Sequence, residues 1–277
     1  MSYHNQYLDI INACCSQPLT SNNRTATKIG VAPGTQLLRH WGPSIPVIGG
    51  RRVYLKSAAA EVAWYLSGTR SCEWLNRHTS MWRPWQDHES QVEAAYGYRW
   101  RSANGVDQIA LAIDTLRTDP TSRRVWIDTW NPQADSNPAA TNTPCPLGFY
   151  LQINNNQLNM SVVMRSSDVA VGLIYDTLSF KMLHNAISIE LSILTGEFEM
   201  ILLNAHIYEP QIPVIKQIAQ AGFGYRQIGQ ELLPIHLPDC AWSISNIVAD
   251  PDGFVEYVNQ YDYLVKDLPK FNMFVAV

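Results

Sequence analysis

The sequence predicts an α+β fold in which a mixed β-sheet is flanked by helices. Segments with helical and strand-like spacing of apolar residues are interleaved along the 277 residues, without the regular strand–helix alternation of a doubly wound fold. Hydrophobic residues make up 46% of the chain, enough for a sizeable core. No internal repeat or long linker is visible, so residues 1–277 are expected to form a single domain. The Pro- and Gly-containing stretch 31–50 is expected to be a packed loop.

Three helices are predicted from apolar residues that recur every three or four positions. The first covers residues 54–68 and ends at Gly68. Its shared apolar face consists of Leu55, Ala59, Val62 and Leu66. The second covers residues 107–120 and is ended by Pro120, and the third, residues 176–194, is the longest.

Strands are predicted at residues 123–130, 147–153 and 197–210, and residues 154–156 predict a turn. Residues 157–165 alternate between two faces, as expected of a half-buried strand. The apolar face consists of Leu158, Met160, Val162 and Met164, and the polar face of Asn159, Ser161 and Arg165.

Composition excludes some classes of protein and favours others. Charged residues are only 16% of the chain and the formal net charge is −4, which argues against an extended nucleic-acid surface. Nine Trp and thirteen Tyr suit pockets for flat ring ligands. Five irregularly spaced cysteines without a CxxC pair indicate reduced thiols in a cytoplasmic protein, not disulfides or zinc. Neither a signal peptide nor a membrane span is expected.

Cys145 stands between Pro144 and Pro146, directly before a predicted strand. Proline fixes its own φ and restricts the residue before it, so the cysteine is held in an extended conformation. Such a residue is either a buried structural cysteine or a thiol held in place for chemistry.

Local arginines are the candidates for binding an anion. Arg165, Ser166, Ser167 and Asp168 follow a predicted strand and suit a phosphate cradle, although a surface Arg–Asp pair would look the same. Three further arginines are weaker candidates on their own. They are Arg24 in a polar loop, and Arg123 and Arg124 at a strand start, where they would point to opposite faces.

Two further features could contribute to a binding or catalytic site. His206 and Tyr208 lie two apart on a predicted strand, so they share a face and could bind a sugar hydroxyl; a satisfied core histidine is the alternative. Glu61 lies in an apolar helix, where it either faces solvent or is buried with a raised pKa suited to acid–base chemistry.

Short motifs in a fixed order resemble thymidylate synthase and its relatives, the cytidylate and uridylate hydroxymethylases. The resemblance runs from Arg24 to Val277, nearly the whole chain. The motifs are NRT, EVAWYLSGT, MWRPWQD, YGYRWR, DQI, DPTSRRVWIDTWNP, PC, RSSDVAVGL, AHIY and the terminal AV.

The resemblance implies a fold, an activity and a partner. It implies a thymidylate synthase-like domain that transfers a one-carbon unit from 5,10-methylenetetrahydrofolate to pyrimidine C5, without a metal. Cys145 would attack C6 of the base, and Glu61 would relay protons. It also implies a sheet-to-sheet homodimer, because Arg123 and Arg124 match arginines that reach the phosphate of the neighbouring subunit.

The resemblance also implies binding roles. Phosphate contacts fall to Arg24, Arg165 and Ser166, and the sugar to His206 and Tyr208. The surroundings of the base and the folate include Asp168, Gly172 and Tyr175. The folate pocket is further implied to include Trp82, Trp85, Arg51 near the folate tail, and the terminal Val277.

Two departures from thymidylate synthase point to a cytosine ring. Asp176 replaces the asparagine that reads uracil, and an ionised carboxylate only accepts hydrogen bonds, which suits an exocyclic amine. Pro146 replaces the histidine that follows the nucleophile. The site chemistry therefore resembles deoxycytidylate hydroxymethylase most, with dCMP as the favoured substrate and Asp176 as a catalytic residue.

Several alternatives remain open on the sequence. Formation of 5-hydroxymethyl-dCMP is favoured slightly, because hydroxymethylation is the commoner outcome in relatives with Asp at this position. Reductive methylation to 5-methyl-dCMP, with dihydrofolate as by-product, is nearly as well supported, because Trp82 and the synthase-like tail would exclude water. CMP is an alternative substrate. A divergent dUMP enzyme and a silent nucleotide- or RNA-binding homologue are further alternatives.

Overall fold

The structure, a computed structural model, confirms the α+β class. It describes residues 2–21, 27–46, 51–103, 105–140, 142–227 and 242–264. Arg24, Cys240 and Val277 lie outside the described residues. Within them the strands form two mixed sheets flanked by helices, where the sequence predicted one sheet.

The elements alternate irregularly along the chain. The strands are β1 (Thr20–Ser21), β2 (Lys28–Val31), β3 (Gln36–Trp41), β4 (Trp126–Asp128), β5 (Pro146–Asn154), β6 (Gln157–Met164), β7 (Ser167–Asp168), β8 (Leu194–Leu202) and β9 (Ala205–Tyr208). The helices are α1 (Tyr3–Cys15), α2 (Leu55–Ser67), α3 (Tyr96–Arg101), α4 (Gln108–Thr118), α5 (Pro132–Asp135), α6 (Gly172–Glu190), α7 (Ile212–Gln227), α8 (Ile244–Ala249) and α9 (Pro251–Asn259). The larger sheet has the order β3-β8-β6-β5-β4, and the smaller one β1-β2-β9-β7.

The central hairpin of the larger sheet follows the sequence pattern. The predicted apolar face of β6 is buried, each of its four side chains being at most 1% exposed. The predicted turn between β5 and β6 contains Asn155 and Asn156, whose φ angles of 50° and 58° are left-handed. Asparagine tolerates that region better than most residues, which makes it suitable for a tight hairpin.

Two of the three predicted helices have nearly the expected bounds. Helix α2 ends where Gly68 adopts a left-handed φ of 68°, and its predicted apolar face is buried. Helix α4 ends at Thr118, two residues before Pro120. Helix α6 differs, because it begins at Gly172 and ends at Glu190. Ser192 then takes a left-handed φ of 56°, which turns the chain into β8.

The predicted strand at residues 197–210 is wrong as a single element. Strand β8 ends at Leu202 and pairs with β3 and β6, whereas β9 belongs to the smaller sheet and pairs with β2 and β7. The link between them is held on both sides: Leu203 N donates to Met164 O and Ser167 N donates to Asn204 O, each at 2.9 Å. The break carries His206 into register with Asp168.

The predicted loop at residues 31–50 is also wrong, because it contains strand β3. Leu38 faces the core and is fully buried, while Leu37 and Trp41 are 45% and 59% exposed on the other face. The alternation of apolar and polar residues that marks a strand is not visible here. Leu37 and Leu38 are both apolar, although they lie on opposite faces of the sheet.

That second face of the larger sheet is a continuous, partly exposed surface, which we call the open sheet face. One row of paired residues crosses all five strands: Arg39, Glu199, Ser161, Tyr150 and Trp126. Arg39 Nε donates to Glu199 Oε1 at 2.6 Å. Leu37 and Trp41 flank Arg39 on the same face, so the surface combines exposed apolar side chains with an ion pair.

Beneath the opposite face, α6 buries a lysine. Lys181 is fully buried, its Nζ donates to Asn185 Oδ1 at 2.7 Å, and it lies 3.4 Å from His184 Nδ1. The other ring nitrogen of His184 is 2.8 Å from Leu158 O. Burial lowers the pKa of Lys181 from 10.5 to about 7, because the charged amine loses its hydration.

This lysine makes stability depend on pH. Between about pH 7 and 10.5 the unfolded chain binds the Lys181 proton and the folded chain does not. The free energy of unfolding should therefore rise by about 1.4 kcal/mol per pH unit across that window. Lys181→Met should flatten the rise, whereas Lys56→Met, at a partly exposed site, should keep it. Urea unfolding at several pH values measures the slope, and an equally steep slope in Lys181→Met would contradict the assignment.

Candidate active site

Cys145 lies at the entrance to β5, partly exposed, in a backbone segment held by Arg165. Arg165 N donates to Cys145 O at 2.9 Å. Its guanidinium donates from Nε to Pro144 O at 2.8 Å and from Nη2 to Thr143 Oγ1 at 2.6 Å. Arg165 therefore holds Thr143 and Pro144, the two residues before Cys145. The Cζ atom of its guanidinium lies 5.5 Å from the centroid of the Trp130 ring.

Glu61 is buried, not solvent-facing, and is anchored by hydrogen bonds. Trp82 Nε1 donates to Oε1 at 2.5 Å and Ser179 Oγ donates to Oε2 at 2.6 Å. The Tyr65 hydroxyl, one turn along the same helix, also favours the charged form of Glu61. Burial raises the pKa of Glu61, and these three donors offset part of the rise because they favour the carboxylate.

Asp176, one turn into α6, is a second carboxyl in the same pocket. Burial raises the pKa of Asp176 well above its usual range, and the charges of Glu61 and then Asp168 raise it further. It lies close to Gly172: a Cβ atom added to that glycine would be 3.7 Å from Asp176 Oδ2. Within the described residues its carboxyl makes no hydrogen bond, so both oxygens remain available to a ligand.

Tyr96 on α3 shows that these groups face a common space. Its hydroxyl interacts with the backbone of Cys145. Burial raises the pKa of Tyr96 well above its usual range, and the nearby Cys145, Asp176 and Glu61 raise it further. A thiol, two carboxyls and a phenol therefore lie close enough to influence one another's ionisation.

Aromatic rings line one side of this pocket. The Trp82 ring lies 5.1 Å from Trp64, 5.4 Å from Tyr96 and 5.8 Å from Trp85 between ring centroids. Two of these contacts are edge-to-face, a favourable arrangement for aromatic rings. Stacked and edge-to-face aromatic rings of this kind suit a flat heterocycle.

The smaller sheet brings a second group of polar residues together. Asp168 pairs with His206 across β7 and β9, and its Oδ2 accepts from Gln211 Nε2 at 3.1 Å. Burial raises the pKa of Asp168, while Gln211 offsets part of that rise. His206 and Tyr208 share a face, as predicted, with their rings edge-to-face at 5.3 Å. His206 Nδ1 is 3.0 Å from Asn204 Oδ1.

Arg51 lies inside the protein. Only 5% of it is exposed, and its Nη1 donates to Ala170 O in the turn that leads into α6 at Gly172. It also acts on the buried Tyr175, where it offsets part of the rise in pKa that burial causes. Arg51 therefore braces the start of the helix that carries Asp176.

Arg123 and Arg124 lie far from Cys145 of the same chain. Both are exposed and precede β4, so they are not on a strand as the sequence predicted. Since Leu151 N donates to Val125 O, Arg124 stands near residue 152, about seven residues along β5 from the thiol. At 3.3 Å per residue that separation is about 23 Å.

Ser166 and Ser167 continue the chain after Arg165. Ser166 is partly exposed, whereas Ser167 is 1% exposed and its hydroxyl has no hydrogen-bond partner within the described residues. The sequence predicts that both serines belong to one phosphate cradle, which stays a prediction.

Sequence reasoning missed four residues of the site. They are Tyr65, Tyr96, Ser179 and Gln211. Tyr65 alone carried a usable signal, because it follows Glu61 by four residues on a helix and hence shares its face. The other three reach the site from separate elements.

The described part of the chain contains no helix that is long and apolar enough to cross a membrane. The same residues include no group of three His, Cys, Asp or Glu side chains arranged to hold a metal ion.

The α+β fold with two mixed sheets, and a cysteine near Glu61 and Asp176, define the class of protein. The chain belongs to the thymidylate synthase family: the sequence model described as "Thymidylate synthase" matches residues 5–224. It is 28% identical over 217 residues to the thymidylate synthase of Corynebacterium aurimucosum, which covers 76% of this chain and 80% of that protein. The family transfers a one-carbon unit to C5 of a pyrimidine nucleotide, with methylenetetrahydrofolate as co-substrate.

Proposed function

We propose that this one-carbon transferase acts on a cytidine monophosphate, dCMP in preference to CMP, and produces 5-hydroxymethyl-dCMP. The observation that carries the proposal is Asp176, a partly exposed carboxyl that makes no hydrogen bond within the described residues and whose pKa is raised, above all by loss of hydration. A neutral carboxyl has one donor and one acceptor, which match N3 and the exocyclic amine of cytosine.

A neutral Asp176 carboxyl requires a different reason for the preference for cytosine over uracil than an ionised carboxylate does. A neutral carboxyl could present its donor and acceptor in the opposite order to O4 and N3–H of uracil. Cytosine is still favoured, because its N3 is basic and can take the proton of Asp176, whereas uracil has no basic ring nitrogen. The resulting carboxylate and protonated ring form a charge-assisted pair, which is stronger than a neutral one.

In the proposed reaction the Cys145 thiolate adds to C6 as Asp176 gives its proton to N3. Protonation draws electrons from the ring and promotes the addition. C5 then becomes nucleophilic and bonds to the one-carbon unit that methylenetetrahydrofolate supplies. Glu61 serves the proton transfers, including loss of the C5 proton, which expels tetrahydrofolate by breaking its bond to the one-carbon unit. Water then adds to the exocyclic methylene that is left. Expulsion of Cys145 from C6 restores the ring.

The remaining roles follow the resemblance. The phosphate is assigned to Arg165, Ser166, Ser167 and Arg24, with Arg123 and Arg124 of a second subunit. The sugar is assigned to His206 and Tyr208. The folate pocket is assigned to Trp82, Trp85, Asp168, Gly172, Tyr175, Arg51 and Val277. The buried position of Arg51 supports a bracing contribution to that pocket, since its guanidinium binds Ala170 O.

We propose that the active unit is a sheet-to-sheet homodimer, with residues 1–277 as a single catalytic domain. Two observations support it. The open sheet face exposes Leu37 and Trp41, which a second copy would cover. Arg123 and Arg124 are exposed and too distant to serve Cys145 of their own chain.

Shared sites predict complementation between inactive variants. Arg124→Ala and Cys145→Ser should each be nearly inactive alone. A heterodimer of the two has one site with both residues intact and one site that lacks both. It should therefore regain up to half of the activity of the wild-type dimer. Co-expression with two different tags isolates heterodimers for the assay. Failure of verified heterodimers to regain activity, or a fully active monomer, would contradict the shared site.

The decisive test of the proposed function is mass analysis of products from dCMP, CMP and dUMP with methylenetetrahydrofolate. 5-Hydroxymethyl-dCMP is expected as the main product, and 5-methyl-dCMP would indicate that the aromatic wall excludes water until reduction occurs. A second candidate, a divergent dUMP enzyme, is favoured by the relative named thymidylate synthase. A covalent complex with 5-fluoro-dCMP distinguishes either enzyme from a silent binding homologue.

We further propose a cytoplasmic location, in the host cell if the protein is viral. It is supported by the free thiols of Cys14, Cys15, Cys72 and Cys145.

A further inference from the structure

The side chain of Gln211 joins strand β7 to strand β9 of the smaller sheet. It is 2% exposed, although it lies in the short turn Glu209–Gln211 directly before α7. Its Oε1 accepts from Tyr208 N at 3.0 Å, and its Nε2 donates to Asp168 Oδ2 at 3.1 Å. An amide oxygen only accepts and an amide nitrogen only donates, so the two contacts together fix the orientation of the group.

The backbone pairing of β7 with β9 ends just before this point. Val169 N still donates to His206 O at 2.9 Å. In a parallel ladder the next rung would join Tyr208 N to Val169 O. Val169 O accepts instead from Tyr7 Oη at 2.8 Å, and Tyr208 N donates to Gln211 Oε1. The amide of Gln211 therefore takes the place of this rung, and it links the strand to a side chain of β7 in place of its backbone.

That side chain, the carboxyl of Asp168, is held from two directions. Oδ1 accepts from Ala170 N at 2.9 Å, two residues along the chain, whereas Oδ2 accepts from Gln211 on a separate element. Burial raises the pKa of Asp168, and the bond from Gln211 offsets part of that rise because it favours the carboxylate. Asp168 is partly exposed, so an oriented carboxylate can still meet a ligand.

Several titratable groups face Asp168 from other elements. His206 on β9 favours its carboxylate, and Asp176 on α6 is near enough for the two carboxyls to repel each other. Tyr7 and Cys14 on α1 also face it, and burial raises the pKa of both, so they are neutral near pH 7. A neutral amide donor thus stabilises the carboxylate without adding a charge to this group.

We propose that Gln211 is a positioning residue that holds the Asp168 carboxyl and the Tyr208 backbone in one geometry, so that two ligand sites share a single amide. The inference rests on the proposed function, which places Asp168 in the folate pocket and Tyr208 at the sugar. The donor end of the amide serves the folate, because an oriented carboxylate accepts from N–H groups of a flat heterocycle. The acceptor end serves the nucleotide, because it fixes the strand that carries the Tyr208 side chain.

The test compares two variants that separate the ends of the amide. Gln211→Met removes both contacts at nearly the same side-chain length, so the KM values for methylenetetrahydrofolate and for the nucleotide should each rise by about tenfold or more. Gln211→Glu keeps an acceptor for Tyr208 N and replaces the donor to Asp168, so near neutral pH it should raise the KM for methylenetetrahydrofolate alone. Gln217→Met, at an exposed position of α7, is the matched control and should change neither.

The pH dependence of Gln211→Glu separates positioning from packing. At low pH the introduced carboxyl and Asp168 share one proton, and the resulting hydrogen bond restores the contact. As pH rises that proton is lost and the two carboxylates repel each other. The KM for methylenetetrahydrofolate should therefore rise with pH in this variant relative to Gln217→Met. Equal increases in both KM values that do not depend on pH would show a merely structural glutamine and overturn the inference.

A measurement without ligands keeps the inference separate from the proposed function. Infrared difference spectra against Asp168→Asn follow this carboxyl in the free protein. Gln211→Met should move its titration up by about one pH unit, since a hydrogen bond to a charged group is lost, and Gln217→Met should not. An unshifted titration would overturn the inference.

The kinetics are measured with whichever of dCMP and dUMP is converted. Conversion of dUMP alone would refute the proposed substrate and leave the result on Gln211 readable. If Gln211→Met fails to fold, Gln211→Glu decides: a KM for methylenetetrahydrofolate that rises with pH supports the contact with Asp168, and one that follows the pH profile of Gln217→Met overturns it.

Discussion

Cys145→Ser should retain nucleotide binding and lose turnover by at least about 10³-fold, because a serine hydroxyl is a far weaker nucleophile at neutral pH than a thiolate. The fold should be unaffected, since Arg165 holds the backbone around Cys145. Steady-state kinetics and calorimetric titration with dCMP separate the loss of chemistry from any loss of binding.

Cys15→Ser is the matched control for this variant, since Cys15 is also a partly exposed free thiol. It should retain full activity, as should variants of Cys14, Cys72 and Cys240. Comparable turnover in Cys145→Ser, or a large loss in Cys15→Ser, would remove Cys145 from the role of nucleophile.

Asp176→Asn should erode or invert the preference for dCMP over dUMP. A mismatched buried polar contact costs about 1–3 kcal/mol, and more when it is charged, so the natural preference should be roughly tenfold to several hundredfold or more. The introduced amide donates to O4 and accepts from N3–H of uracil, and it cannot supply a proton to N3 of cytosine. Inversion should be incomplete, because Pro146 does not restore the histidine of the synthases.

The measurement is the ratio of kcat/KM for dCMP and dUMP in both proteins, across a range of pH. Since burial raises the pKa of Asp176, the natural preference should fall as pH rises through that pKa and the proton is lost. Asp114→Asn, at an exposed carboxyl on α4, should leave the ratio unchanged. A natural preference for dUMP, or a ratio indifferent to Asp176→Asn, would establish a divergent uridylate enzyme.

The elements that the sequence predicted well are those whose signals are local. The apolar face of β6, the stop of α2 at Gly68 and the asparagine turn each depend on residues within one element. The division between β8 and β9 was not predictable in this way. Leu203 and Asn204 carry no Gly or Pro signal, and the break is set by hydrogen bonds to Met164 and Ser167.

The candidate site shows the same limit. Glu61 and Asp176 were identified individually, but their mutual effect depends on α2 and α6 packing side by side. Ser179 and Gln211 are unremarkable in sequence and gain their roles only from the carboxyls that they meet. The sequence also did not predict the interior position of Arg51. A basic residue in a Gly-rich stretch is usually exposed, and only the fold brings Ala170 O within hydrogen-bond reach of its guanidinium.

The short link between β8 and β9 has a consequence for how affinity depends on protein concentration. Strand β8 contributes Glu199 to the open sheet face, and residues 203–204 connect it to the strand that carries His206 and Tyr208. In the proposed dimer, subunit association and sugar binding therefore act on one continuous piece of backbone. By thermodynamic linkage, a nucleotide that binds the dimer more tightly must also tighten the dimer by the same factor. Dilution should thus weaken nucleotide binding, and saturating nucleotide should delay dissociation of the subunits.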